Sequence, residues 1–150
     1  MINDSVNITG TLNIILRDKD GNVKQEINTK NLVVAVGKNL IASRFSSNSN
    51  SVPTHMAVGT NSASPIAGNT TLGTEIGGSR VALAVSGGTV VNNTITYTAS
   101  FGAGVGTGAI TEAGIFNDVT TGTMLCRTSF APVNKDVADT LGISWNVTIS

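Results

Sequence analysis

The sequence predicts a mainly β protein, a β-sandwich or jelly-roll of about seven to nine short strands with one short helix over 36–45. Three observations predict it. Apolar and polar residues alternate with a period of two in most patterned segments, as in strands with one buried face. Gly, Asn, Asp and Ser cluster between those segments, where turns need them. One stretch alone carries apolar residues at helical spacing.

Residues 1–9 are polar and read as an N-terminal arm. Segments 11–17 and 23–29 flank Asp18-Lys19-Asp20-Gly21, a hairpin whose glycine is expected at positive φ. Val36, Leu40, Ile41, Arg44 and Phe45 recur at helical spacing, and the polar run Ser46-Ser47-Asn48-Ser49-Asn50-Ser51 ends that helix. Residues 59–78, with Pro65 and five glycines, carry no period. A loop that long in a compact domain tends to be functional, so it is expected to form an interface. Val81, Leu83 and Val85 mark a strand, as do Ile95, Tyr97, Ala99 and Phe101. A glycine-rich loop over 102–108 leads into a second hairpin, 109–116 with 124–130. Pairing Phe116 with Met124, Gly114 with Cys126, Glu112 with Thr128 and Ile110 with Phe130 gathers the apolar residues on one face. That register puts the Glu112 carboxylate on the apolar face. Leu141, Ile143, Trp145, Val147 and Ile149 make the last strand. No linker or internal repeat splits the chain, so 1–150 reads as one domain.

Composition narrows the function. Charged residues make up 12 % of the 150, and nine basic residues balance nine acidic ones. Phosphate binding needs clustered Lys and Arg, and none exists, so no nucleic-acid partner is expected. Sparse charge suits a surface that neighbouring proteins cover. No apolar run approaches the roughly 18 residues that span a bilayer, and the first residues lack a basic-then-apolar leader. No membrane partner and synthesis in a cytoplasm are therefore expected.

The candidate chemical motifs fail on context. Gly104, Gly106 and Ala109 match the letters of a dinucleotide fingerprint, but a strand follows where a helix is needed. Gly37-Lys38-Asn39 lacks the Ser or Thr after lysine that a phosphate loop needs, and Leu32 stands at its upstream glycine position. Asp18-Lys19-Asp20-Gly21-Asn22 brings its glycine two positions early for a calcium loop. His55 and Cys126 are the only residues of their kinds, which excludes a Cys/His metal set. An inward carboxylate has a raised pKa or is paired. Glu112 is therefore expected to form a structural ion pair with Arg80 or Arg44. No catalytic residue, cofactor or metal is expected, and the chain is not expected to be an enzyme.

Several strings together resemble a known class. They are Lys30-Asn31-Leu32-Val33-Val34, Gly37-Lys38-Asn39-Leu40-Ile41, His55-Met56-Ala57-Val58-Gly59-Thr60, Thr111-Glu112-Ala113-Gly114-Ile115-Phe116, and Gly122-Thr123-Met124-Leu125-Cys126-Arg127, with the ending through Trp145. They resemble small structural proteins of tailed bacteriophages, including the decoration (cement) proteins on the outside of the capsid. The resemblance implies a homo-oligomeric (dimeric or trimeric) β-sandwich that binds the major capsid protein and reinforces the shell. It implies a virion location after synthesis in the host bacterial cytoplasm, with no catalysis and no cofactor. Similar strings occur in phage tail proteins, so a baseplate part or receptor-binding tip is the alternative.

Overall fold

A computed structural model describes residues 4–46 and 50–150. Over these residues the protein is mainly β, with nine antiparallel strands in one curled sheet and one short helix. The strands are β1 (Ile8–Arg17), β2 (Val23–Val33), β3 (His55–Gly59), β4 (Val81–Ala82), β5 (Thr89–Val91), β6 (Thr94–Phe101), β7 (Gly108–Phe116), β8 (Met124–Lys135) and β9 (Thr140–Ile149). The helix is α1 (Ala35–Arg44). Across the sheet they run β4-β3-β7-β8-β2-β1-β9-β6-β5.

The long strand β2 lets the sheet curl. Its first part pairs along β1 from Val23 to Asn31, and its last two residues, Leu32 and Val33, pair with Arg127 and Cys126 of β8. One strand thus serves both halves, and the halves close on a shared core. Leu12, Ile14 and Leu16 of β1 meet Tyr97 and Phe101 of β6, Trp145 of β9, Met56 and Val58 of β3, and Ile115 of β7 there. Period-two alternation holds in this half: Thr96, Thr98, Asn146 and Ser144 occupy the opposite, polar face. Each fully buried Leu, Ile or Phe contributes about 1.5–3 kcal/mol against exposure.

The first hairpin turns at Gly21, whose φ is +87°, as expected. Three other expectations change. Ile8 and Thr9 belong to β1, and Asn7 pairs its backbone with Ser150, so only 4–6 of the described residues remain of the supposed arm; residues 1–3 lie outside them. The expected strand through Val81, Leu83 and Val85 stops at Ala82. There the backbone changes partners: Leu83 N–H donates to Thr54 on the β3 side, and Ala84 N–H donates to Thr98 of β6. The chain crosses from one sheet edge to the other, and Val85 is left exposed. The third change, in the β7–β8 register, bears on the site.

Candidate functional site

Between β7 and β8 the pairing starts as expected at Phe116–Met124 and then slips at a bulge, giving Ile115–Cys126, Gly114–Arg127, Ala113–Thr128 and Glu112–Ser129. The extra residue is Leu125. Every residue from Thr111 to Phe116 and from Met124 to Thr128 is buried. This half-sheet is covered on both faces. Ile115, Ala113 and Cys126 face the main core. Phe116 and Met124 face a second cluster with Val34, Ala57 and Leu72. Leu72 comes from the 59–78 loop, which lies over its own sheet.

Glu112 fastens that loop. Its side chain is fully buried and its oxygens are saturated. Oε1 accepts the backbone N–H groups of Thr74 at 2.7 Å and Asn61 at 3.2 Å. Oε2 accepts Gly73 N–H at 2.9 Å and Arg127 Nε at 2.8 Å. Arg127 Nη1 donates to Asn69 Oδ1 at 3.0 Å, and the same oxygen accepts Ile66 N–H. One ion pair therefore collects five points of the loop. Glu112 is buried and paired as expected, but its partner is Arg127, not Arg80 or Arg44.

Each expected partner is engaged elsewhere. Arg80 grips Glu75 through Nε at 2.9 Å and Nη2 at 3.1 Å, and donates Nη1 to the carbonyls of Asp118 and Thr121. Its guanidinium stacks 3.8 Å above the Phe116 ring. Arg44, exposed at the end of α1, donates to the Asn50 carbonyl. Arg127 was missed because strict alternation placed it opposite Cys126, on a solvent face. The signal was present in the uninterrupted apolar runs around Ala113–Phe116 and Met124–Cys126, which fit a strand buried on both sides.

Several other titratable groups also hold the frame. Burial pushes the Cys126 thiol up. His55 Nδ1 lies 2.8 Å from Thr54 Oγ1. The buried Lys135 ammonium donates to the Gly102 carbonyl, beside the glycine-rich loop. Asp139 accepts Lys24 Nζ at 2.6 Å and Asp136 N–H at 2.9 Å, tying the β8–β9 turn to β2. Asp18 accepts the N–H groups of Asp20 and Asn22, as in a hairpin turn. Among the described residues no group of three or more Cys, His, Asp or Glu is placed to hold a metal, and no helix is long and apolar enough to cross a membrane.

The surface is the other candidate. Phe45 is 87 % exposed, and Ile66, Val90, Val91, Val119 and Val137 are each more than half exposed. Beside Phe45 an apolar groove of about 230 Å³ opens between α1 and β6, lined by Leu40, Ile41, Val52, Ile95, Tyr97 and Ile149. No protein-family model matches the chain, and no curated protein or solved structure matches it significantly.

Proposed function

We propose that the protein is a non-enzymatic virion component that binds the outer surface of a bacteriophage capsid and stabilises the shell, with the major capsid protein as partner. One observation carries the reading: Phe45 stands exposed at an apolar groove lined by Leu40, Ile41, Ile95 and Tyr97, on a body with few charges. Contiguous exposed apolar surface marks protein interaction sites. The clasp through Glu112 and Arg127 supports it, because a loop ordered before docking loses less entropy on binding. The resemblance to decoration proteins supplies the capsid as partner.

The test is labelling of intact particles with an antibody against the purified protein, read by electron microscopy. Shell-wide labelling is expected. Label confined to the tail would overturn the capsid placement in favour of a tail component, and unlabelled particles would overturn both.

A further inference from the structure

The strand order ends at β5, so among the described residues one side of this strand faces no other strand. β5 pairs with β6 as Thr89–Thr96, Val90–Ile95 and Val91–Thr94 around the two-residue turn Asn92-Asn93. In an antiparallel ladder, hydrogen-bonded and non-bonded pairs alternate. Two bonds fix the phase here. Ile149 N–H donates to Asn93, which directs the backbone groups of Asn93 and Ile95 toward β9. Ala84 N–H donates to Thr98, which directs the even-numbered residues of β6 the other way. Val91–Thr94 and Thr89–Thr96 are thus the bonded pairs, and the N–H and C=O of Val90 point out of the sheet edge.

All three residues of β5 are exposed, and Val90 is 63 % exposed although it shares the inward face with Ile95. Native proteins shield such an edge with Lys, Pro or an inward-pointing charge. This one is only three residues long, and among the described residues no such side chain guards it. From Val81 to Thr111 the sequence holds no Asp, Glu, Lys, Arg or Pro.

We propose that β5 is a self-association edge, pairing antiparallel with β5 of a second copy about a twofold axis at Val90. An outward N–H and C=O on one residue are self-complementary under that symmetry: each Val90 donates to and accepts from the other. The pair satisfies both edge groups and covers the exposed valine with its twin. Thr89 and Val91 then lie across from Val91 and Thr89 of the second copy, and no like charges meet. A strand of three residues gives few contacts, and interfaces well below the standard size are weak. The free protein is therefore expected to dimerise reversibly. This inference is independent of the capsid reading, because it concerns the protein alone in solution.

The experiment is sedimentation of the full chain over roughly 1–500 µM, the range in which a small interface is populated, with hydrogen exchange at the Val90 amide. Wild type should shift from monomer to dimer, and protection of that amide should rise with concentration. Val90→Pro removes the outward N–H while sparing the bonds to β6, as proline does on edge strands. Val90→Lys adds the missing guard. Each should weaken dimerisation roughly tenfold or more with an unchanged melting temperature, the proline by removing the two Val90–Val90 hydrogen bonds and the lysine by setting like charges across the twofold axis. Phe45→Ser should leave dimerisation intact. A monomer throughout the range, a Val90 amide whose exchange ignores concentration, or a dimer lost with Phe45→Ser but kept with Val90→Pro would overturn the proposal. If both variants at Val90 unfold, the wild-type exchange series decides alone.

Discussion

Glu112 is better described as an anchor for backbone than as one half of a salt bridge. Three amide groups and one guanidinium meet on its two oxygens. Glu112→Gln puts an NH₂ where acceptors are required, and should cost about 3–5 kcal/mol, the usual loss when one side of a buried pair is broken. Denaturant unfolding measures it. A simple buried ion pair can often be replaced by apolar residues at little cost. Here the double change Glu112→Leu with Arg127→Met should stay well below wild type in stability, because the N–H groups of Asn61, Gly73 and Thr74 lose their acceptor. A near-neutral double variant would show that the loop does not depend on the carboxylate. Other carboxylates contribute to the acid response. The hydrogen bond from Lys24, then that from Asp136 N–H, holds the Asp139 carboxyl below its ordinary 3.8. Asp118 is lowered by the Thr120 and Thr121 amides, and Asp18 by Asn22. A carboxylate with a depressed folded pKa stabilises the fold above its unfolded value and loses that contribution as pH falls through the folded one. Unfolding free energy should hold from about pH 7 to 5 and decline below about pH 4. The decline should be shallower in Asp139→Asn.

At the scale of elements, α1 depends on one close approach. A Cβ on Gly37 would fall 1.9 Å from the Leu125 carbonyl oxygen, so the helix rests directly on the β8 backbone at its bulge. Gly37→Ala must push the two apart. Overpacking of this kind costs about 1–3 kcal/mol, more than alanine's helix preference over glycine returns. A thermal melt lower than wild type is expected; a higher one would mean the helix can shift freely. The start of α1 is capped from outside: Val34 makes no side-chain cap, and Ala35 N–H donates to the Ala67 carbonyl in the loop that Glu112 anchors. Helix, loop and bulge form one unit, and this unit was the least legible part of the sequence. Strands with one wet face, β1, β6 and β9, could be read from alternation alone. β7 and β8 could not, because burial on both faces removes the alternation that sets register, and the bulge at Leu125 brings Arg127 onto the face of Glu112, under the 59–78 loop. The helix was found to within a residue at each end. β3, short and buried from Met56 to Gly59, has no polar face to mark it. The strings that resemble phage structural proteins fall largely in this half, at the end of β2 and in α1, β3, β7 and β8.

For the molecule as a whole, balance of charge is the governing property. With nine charges of each sign, spread thinly, the attachment to a capsid proposed above should rest on apolar area and backbone pairing. Raising salt from about 50 to 500 mM should leave shell occupancy nearly constant, whereas binding through neutralised phosphates would weaken by orders of magnitude. A chelator should leave occupancy unchanged too. A steep loss with salt would identify a charged partner surface, and loss with chelator would identify a bridging cation. The place of β9 bears on how the chain is made. β9 lies between β1 and β6, in the middle of one half of the sheet, and contributes Trp145, Leu141 and Ile143 to the core. During synthesis β1 leaves the ribosome first of the nine strands and waits for a neighbour that follows all the others. Neither β1 nor β6 can complete its ladder until then, and pairing across such a span is slow. The protein should remain protease-sensitive on the ribosome until residues 140–149 emerge, and then close in a single late step.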